Sequence, residues 1–392
     1  MTNQSDLELI QRYAPIVWLH QDEAFLPENC RVMEQYARLG TRSENLRIFQ
    51  LDELGNLPNS DKYYMDIPEL DYAGFGTRSS YQGVEVGPEG VGAHARSLLG
   101  NNPFSVRSAR AAHPCYHARV VHLTVEHRPD EPFSRFFEDH DPGVFGAYTV
   151  IQYFFYYIFN DAWNKHIGDW DSTLELFIGE DNSRGYAILH MHHTTWMMRF
   201  GGRPLKLKSW IGQWQKSEAR QDGKHKTYPE LNPLFHFAQH PFIFIARGAH
   251  GGYPTPGFSI HGIKALKTRV IGQTDYRQIG GICIYPPTAP VSPDALLDIL
   301  KEGEVDTSGT KFLSWEEPVH LQNQSWLKYK GLWGSKSEYS GWAGPTGPNC
   351  KKYWRMDQRF FKSVLDCASE GDYRGNWVLK IFRNWHGWRK TA

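Results

Sequence analysis

Short hydrophobic runs separated by turn-forming residues make up most of the chain. Alternation of apolar and polar positions, or an unbroken apolar run between turn signals, is typical of a β-strand. The runs of this kind are 13–20, 115–127, 148–159, 173–178, 186–193, 241–247 and 279–285. Turn residues at 180–183 stand between two of these runs, so we predict that the two pair as a β-hairpin.

Two segments show the longer spacing of a helix. A cap formed by Ser292, Pro293 and Asp294 predicts a helix that continues to Lys301. Residues 356–369 carry an apolar stripe with helical spacing. Helices are therefore expected to be few and peripheral.

The strand-rich pattern predicts a mainly β fold, namely a jelly-roll-like β-sandwich with long loops. Residues 52–115 are rich in Gly, Pro, Asn and Ser and predict long loops with short strands, which could form a lid. We expect residues 1–356 to form one domain, with residues 357–392 as a helix and an aromatic, basic extension packed on it. The 14 Trp, 20 Tyr and 22 Phe fit such a fold, because large flat side chains fill the space between sheets and line ligand clefts.

The overall charge argues against one class of partner. Lys and Arg together number 43, as do Asp and Glu, so the formal net charge is zero. A chain without a basic excess is not expected to bind nucleic acid. The local exception is the stretch 377–390, in which basic side chains stand among three Trp. This stretch fits either a docked terminal segment or a peripheral membrane contact.

The sequence carries no pattern typical of export or membrane insertion. Its first ten residues are polar and acidic and lack the apolar core of a signal peptide. The longest apolar run, 148–159, is too short to span a bilayer. Five widely spaced cysteines form neither a zinc pattern nor a disulfide framework. We therefore predict a cytoplasmic protein without a transmembrane segment.

The segment 160–171, NDAWNKHIGDWD, concentrates polar and acidic residues between two apolar runs and is expected to be a loop. Asp169 and Asp171 are two residues apart, so in an extended segment both carboxylates point to one side. His166 can fold back toward them. Two carboxylates on one side repel each other unless a positive charge lies between them. The spacing therefore suggests a divalent cation, although a solvated pair of aspartates explains the same pattern.

The types of ligand limit the cation. Carboxylate oxygens suit Mg²⁺, Ca²⁺ or Mn²⁺, and an imidazole moves the preference toward Mn²⁺, Fe²⁺ or Zn²⁺. Because two carboxylates stand against one imidazole, we predict Mg²⁺, Ca²⁺ or Mn²⁺ rather than Zn²⁺.

Histidines supply the candidates for proton transfer, because imidazole titrates near neutral pH. The run YAILHMHHTTW at 186–196 places His190 and His192 on one face of a strand, which the hairpin would bring near the acidic segment. In GAHGGYP at 248–254, flanking glycines permit a tight turn that aims His250 inward. Each of these histidines also fits a packed or surface role.

Taken together, these segments resemble the Vps62 family of fungal, plant and bacterial proteins. The matching pieces are YAPIVWLH with the Asp22, Glu23 and Pro27 that follow it, HIGDWD, HMHH, GAHGGYP, WLKYKGLWG and GPTGPNCKKYW. They occur in the family's order over roughly residues 13–354. The resemblance implies a role in vacuolar protein sorting.

The acidic segment is also similar to the HRHDWE stretch of necrosis-inducing toxin-like proteins, which binds a divalent cation on a β-sandwich. That similarity implies metal ligation by His166, Asp169 and Asp171, with Asp161 as an additional upstream ligand. Both families carry Glu where this chain has Asp171. The shorter side chain leaves two arrangements open, namely direct ligation or ligation through a water.

Two functions and one structural role fit these features. The first is a metal-assisted enzyme for hydrolysis, elimination or cyclisation of an oxygen-rich small molecule, with His190, His192 or His250 moving protons. The alternative is a sorting protein whose cation bridges to a lipid or sugar head group at a membrane. The third is a cation that only ties loops together. These segments contain more histidines than a structural cation needs, and this surplus favours the enzyme.

Overall fold

A computed structural model shows a protein built mainly of β-strands. The residues that the structure describes are 4–41, 45–68, 79–81, 84–86, 113–130, 143, 145–161, 166–179, 185–191, 194–200, 232–233, 236–237, 239–254, 256–266, 269–277, 279–287, 292–302, 307–322, 324–334, 344–351 and 354.

Most of the described strands belong to two open sheets. In chain order the strands are β1 (Ile16–Leu19), β2 (Arg38–Gly40), β3 (Tyr64–Asp66), β4 (Ser79–Tyr81), β5 (Val84–Val86), β6 (His117–Val125), β7 (Gly146–Phe154), β8 (Tyr157–Asn160), β9 (His166–Asp169), β10 (Thr173–Gly179), β11 (Gly185–Met191), β12 (Thr194–Phe200), β13 (Asn232–Pro233), β14 (His236–Phe237), β15 (His240–Ile245), β16 (Gly252–Tyr253), β17 (Gly257–Leu266), β18 (Arg269–Arg277), β19 (Ile282–Tyr285), β20 (Lys311–Ser314) and β21 (Val319–His320). The helices are α1 (Gln4–Arg12), α2 (Val32–Tyr36), α3 (Leu51–Leu54) and α4 (Pro293–Glu302), with 3-10 turns at Ser60–Lys62, Ser325–Lys328 and Pro348–Cys350.

The larger sheet has seven strands in the order β13-β12-β11-β10-β7-β6-β21. Its inner ladders are antiparallel, and the edge strands β13 and β21 pair in parallel with their neighbours. The smaller sheet has the order β14-β15-β1-β19-β20, with β16 paired to β15. The pairs β2-β3, β4-β5, β8-β9 and β17-β18 stand apart from both sheets.

Inward-facing side chains of both large sheets belong to one buried cluster. It includes Leu174 and Ile151 from the seven-stranded sheet and Val17, Ile243 and Ile284 from the other, none of which is exposed to solvent. Burying such side chains is the main driving force for folding, at about 1.5–3 kcal/mol for each large aliphatic residue. The two sheets therefore share an apolar core.

A second cluster consists mostly of aromatic residues and lies beside β8 and β9. Trp170 is its centre, with ring centroids 5.3 Å from Trp333, 6.0 Å from Trp326 and 4.8 Å from Tyr156. Edge-on and stacked aromatic pairs at such distances add to the stability gained from burial. Because Trp170 is fixed inside this cluster, its sequence neighbours Asp169 and Asp171 are held at the cluster's border.

Several predictions of secondary structure are confirmed. Strands occupy parts of 13–20, 115–127, 241–247 and 279–285, and β10 pairs with β11 as an antiparallel hairpin. Helix α4 begins at Pro293, and the Ser292 hydroxyl caps it by accepting a hydrogen bond from the Ala295 N–H at 3.1 Å. The predicted helix at 356–369 and the extension 357–392 lie outside the described residues.

Two sequence predictions need correction. Residues 148–159 do not form one strand, because β7 ends at Phe154 and β8 begins at Tyr157 with a different partner, β9. The segment 160–171 is not all loop, because residues 166–169 form β9. Within the described residues every helix is too short or too polar to traverse a bilayer.

Candidate functional site

The ladder between β8 and β9 presents the predicted acidic segment. Asn160 pairs with His166, and Tyr157 pairs with Asp169, so the two candidate ligands mark the two ends of β9. Gly168 between them has φ +64° and lies so close to the Trp333 carbonyl that a Cβ would be 1.8 Å from its oxygen. This backbone conformation needs glycine, and it docks β9 onto the aromatic cluster.

Asp169 is buried, with one carboxylate oxygen bound to the protein. Its Oδ2 accepts hydrogen bonds from Asn160 Nδ2 at 3.2 Å and from His250 Nδ1 at 3.0 Å. Within the described residues, Oδ1 has no hydrogen-bond partner. The two donors thus fix the orientation of the carboxylate and leave one oxygen available.

His250 supplies the positive charge beside Asp169. It lies in the turn after β15 with φ +55°, and its ring stacks on Tyr157 with centroids 3.8 Å apart and planes 3° apart. Its Nε2 is 3.6 Å from Glu23 Oε1, which is an ion-pair distance and slightly long for a hydrogen bond. The imidazole is fully buried between two carboxylates, Glu23 on one side and Asp169 on the other. A non-glycine residue with positive φ at such a place marks backbone strain held by its surroundings.

Glu23 is a member of the cluster that the sequence did not assign to the site. Its Oε1 accepts hydrogen bonds from the backbone of Ala24 at 2.9 Å and Phe25 at 3.2 Å, and its Oε2 accepts one from the Gly248 N–H at 2.7 Å. The side chain therefore ties the segment after β1 to the turn that carries His250. In the sequence, the only indication of a role for Glu23 is its position after the run YAPIVWLH. That position does not show that the side chain is buried.

The three charges of this cluster shift each other's pKa values. Burial alone would lower the pKa of His250, but the hydrogen bond with Asp169 and the charge of Glu23 raise it to about 9. Burial alone would raise the pKa of Asp169 and Glu23, yet the contacts with His250 lower both. At neutral pH the cluster therefore holds an imidazolium between two carboxylates.

Asp171 is a half-buried carboxylate at the edge of this cluster. Its Oδ1 accepts a hydrogen bond from the Ser172 N–H at 2.8 Å, and its Oδ2 has no hydrogen-bond partner among the described residues. Burial and the charge of Asp169 raise the pKa of Asp171 to about 7, against the opposing charge of Lys351. Its negative charge is thus poorly compensated.

Ser172 joins the acidic segment to the histidine turn. It has φ +57°, and its hydroxyl donates to the His250 carbonyl at 2.6 Å. Gly252 packs directly on it, because a Cβ there would lie 2.7 Å from the Ser172 Oγ. The segment carrying Asp169 and the turn carrying His250 are thereby held in contact.

His166 has one ring nitrogen bound and one available. Its Nδ1 is 2.8 Å from the Gly168 carbonyl, which can only accept, so the proton is on Nδ1 and the lone pair is on Nε2. Burial lowers the pKa of His166 and keeps the ring neutral. A neutral histidine whose other nitrogen donates to a carbonyl is the form that metals bind.

The structure places the remaining predicted site residues differently from one another. Asp161 touches the histidine turn through its backbone, whose N–H donates to the Gly248 carbonyl at 2.9 Å. The His190 Nε2 lies 2.8 Å from Glu175 Oε2, in a buried row on the face of the seven-stranded sheet opposite the shared core. His192 lies outside the described residues, as does the basic stretch 377–390.

The described side chains form no ready-made metal site. Among the described residues, no group of three His, Cys, Asp or Glu side chains has the arrangement that holds a metal ion. The observed geometry is instead that of the His250 imidazole buried between the carboxylates of Glu23 and Asp169. His166 and Asp171 lie at the border of this cluster. Each has one side-chain nitrogen or oxygen atom with no hydrogen-bond partner among the described residues.

No protein-family model, no curated protein and no solved structure matches the chain. The resemblance to the Vps62 family and the similarity to toxin-like proteins therefore stay predictions.

Proposed function

We propose that the protein binds a divalent cation, Mg²⁺, Ca²⁺ or Mn²⁺, through His166, Asp169 and Asp171. In this proposal the cation assists the hydrolysis, elimination or cyclisation of an oxygen-rich small molecule. The proposal includes membership of the Vps62-like proteins and a jelly-roll-like sandwich fold, which the shared core of the two sheets supports.

The observation that carries the proposal is that the three side chains share one pattern of hydrogen bonding. Each has one polar atom fixed by the protein and a second with no hydrogen-bond partner among the described residues. The unpartnered atoms are His166 Nε2, Asp169 Oδ1 and Asp171 Oδ2. Hydrogen bonds of this kind orient metal ligands and set the histidine tautomer. Waters and a small movement of the half-buried Asp171 would complete the coordination shell.

Electrostatics supports a cation at the same place. Burial and repulsion by the charge of Asp169 raise the pKa of Asp171. A cation between the two carboxylates would offset that repulsion. His250 already compensates Asp169 at Oδ2, whereas no ion pair in the described part of the chain compensates Asp171. A small divalent ion there would act as a Lewis acid on a substrate oxygen.

The proposal changes the roles expected of two histidines. His250 is fully buried, so in this proposal it orients Asp169 instead of moving protons to a substrate. His190 bonds Glu175, so its role is structural. Of the three histidines first considered for proton transfer, His192 then stays as the candidate.

Metal titration tests the proposal. Elemental analysis of the purified protein and calorimetric titration with each of the three cations should show one site per chain. Asp171→Asn should weaken binding at least tenfold, because one anionic ligand is lost. Asp298→Asn is the matched control, since that side chain is exposed on α4 and should leave the affinity unchanged. Equal cation affinity in wild type and the Asp171→Asn variant would refute the site.

The enzymatic part needs a separate measurement. The metal-loaded protein, incubated with a metabolite extract, should consume at least one oxygen-rich compound detectable by mass spectrometry. Asp171→Asn should abolish that consumption while its circular dichroism spectrum stays native. Metal binding without any consumption would leave a structural cation as the correct description.

A further inference from the structure

We propose that two copies of this chain associate through the outer edge of β6, where residues 121–125 of each copy pair in antiparallel orientation about a two-fold axis at Leu123. The inference goes beyond the proposed function and does not depend on the cation site. Three features of β6 carry it, namely an unpaired edge, an uncharged sequence along that edge and an apolar row that ends at Leu123.

The outer edge of β6 is only partly occupied. β21 pairs with it in parallel at His117 and Ala118. Further along, the Gln322 side chain takes the place of a strand, because its Nε2 donates to the Val120 carbonyl at 3.3 Å. Among the residues that the structure describes, no strand pairs with this edge after Ala118. The last part of β6 therefore has an open edge.

The backbone groups of His122 and Thr124 point out of the sheet at this edge. The carbonyls of Ala118 and Val120 accept hydrogen bonds from the β21 side, and the backbone groups along a strand point alternately to its two sides. Those of His122 and Thr124 therefore point to the same side, and both residues are exposed. Within the described part of the chain, neither has a backbone hydrogen-bond partner there. Their N–H and C=O groups are thus available to another strand.

The open edge lacks the features that usually prevent strands from pairing between molecules. Natural edge strands carry charged residues, proline or a bulge at such places. The stretch 121–125 reads VHLTV and contains neither a formally charged residue nor a proline. Its ladder with β7 is regular through Val125, and β-branched residues favour a strand. An uncharged edge of this kind does not repel a second copy of itself.

A second copy fits this edge because the two outward-pointing residues are symmetric about Leu123. In an antiparallel pair of identical strands centred there, His122 of each copy lies opposite Thr124 of the other and exchanges both main-chain hydrogen bonds with it. The two Leu123 side chains then lie directly opposite each other, at the closer spacing of a pair without main-chain bonds.

An apolar row on one face of the sheet leads to the same point. Tyr148 lies opposite Leu123 in the ladder of β6 and β7, and its ring centroid is 6.0 Å from that of Phe177. The row ends at Leu123, whose side chain is half-buried. Leu123 of a second copy would continue the row across the axis, and the burial of both side chains favours this partner over a polar one.

Analytical ultracentrifugation in the presence of a chelator tests the inference without involving the cation site. Pairing over 121–125 buries far less than the roughly 1,000 Å² of a stable complex, so we expect a dissociation constant on the order of 100 µM. The weight-average mass of the wild type should rise from that of one chain toward twice that value between about 10 µM and about 1 mM protein. A wild type that stays monomeric over this range would overturn the inference.

Thr124→Pro tests the main-chain pairing. It removes an outward N–H but no hydrogen bond of the β6–β7 ladder, and it should weaken association by about tenfold or more. Thr124→Ala is the matched control, because it shortens the side chain and keeps the N–H, so it should associate like the wild type. Equal association of Thr124→Pro and wild type, or equal loss in both variants, would overturn main-chain pairing at this edge.

A charge exchange at the axis tests the contact without changing the backbone. Leu123→Lys and Leu123→Glu each place like charges opposite each other in a homodimer, so each variant alone should stay monomeric. An equimolar mixture of the two should associate again, because Lys then lies opposite Glu. A mixture that stays monomeric would overturn the axis at Leu123. Should Thr124→Pro lose the native circular dichroism spectrum, the two Leu123 variants decide the question.

Discussion

A single buried positive charge holds the candidate site together. The His250 imidazolium lies between Glu23 and Asp169 and stacks on Tyr157, away from solvent. Because a buried charge without a partner is very unfavourable, each member of this cluster depends on the others. The pH dependence of stability should therefore report on His250 directly.

The protein without metal should lose stability as the pH rises from 7.5 to 9.5. The folded-state pKa of His250 is raised to about 9 from an ordinary 6.5. A raised histidine pKa contributes stability that is complete below pH 6.5 and is lost as the pH passes 9. Linkage puts the loss over this window at about 2 kcal/mol. Urea unfolding in the presence of a chelator would measure it.

The His250→Gln variant is the control for this pH dependence. Buried thiols and tyrosines titrate in both proteins, so the difference between wild type and variant isolates the histidine. Parallel curves for the two proteins would contradict an imidazolium at this position.

Gly168 offers a second test at the residue scale. Gly168→Ala should cost about 3 kcal/mol or more, because its φ is +64° and the new Cβ meets the Trp333 carbonyl. Gly309→Ala is the matched control: its φ is +77°, but nothing lies within 4 Å of the new Cβ. That variant should lose only about 1 kcal/mol. Equal losses would show that β9 is not docked as described.

The sequence predicts part of the site but not all of it. His166, Asp169 and Asp171 fall within six residues, so their spacing alone suggests a shared site. Glu23 is 225 residues from Gly248, to which its carboxylate is bonded. A pattern of neighbouring residues cannot reveal a contact between residues so far apart in the chain.

At the scale of elements, the run 148–159 shows why its single-strand interpretation was wrong. Tyr153, Phe155 and Tyr157 belong to the core that the sheets share, whereas Phe154 and Tyr156 belong to the aromatic cluster. Because both faces are buried, the run is apolar throughout and its pattern shows no break. After Phe154 the chain pairs with a different strand, β9. The sequence of the run itself does not mark this change of pairing partner.

A row of polar side chains crosses the seven-stranded sheet on the face opposite the shared core. Gln152 donates to one oxygen of the Glu175 carboxylate and His190 contacts the other, while Arg119 donates to Gln152. We expect this row to stabilise the sheet and not to react. Glu175→Ala should cost about 3–5 kcal/mol, because it removes the charged acceptor of two buried hydrogen bonds.

Glu316→Ala is the matched control for the buried row. Glu316 also contacts a histidine, His113, at 2.8 Å, but both side chains are more than half exposed. Its loss should change stability by less than about 1 kcal/mol. Denaturant curves that show similar losses for both variants would mean that the Glu175 row is open to water.

At the scale of the whole molecule, the shared core should make the two sheets unfold together. Leu174 and Ile243 belong to different sheets, and both are fully buried in the same cluster. Replacing either by Ala should lower the free energy of unfolding by about 2–5 kcal/mol. Far-UV circular dichroism and tryptophan fluorescence should report a single, coincident transition in each variant, because damage to one sheet removes support from the other.

Ile48→Ala, at a side chain that is 68% exposed, should leave the free energy of unfolding within about 0.5 kcal/mol of wild type. Two separate transitions, with only one of them shifted by each core variant, would show that the sheets fold independently and would contradict the proposed sandwich.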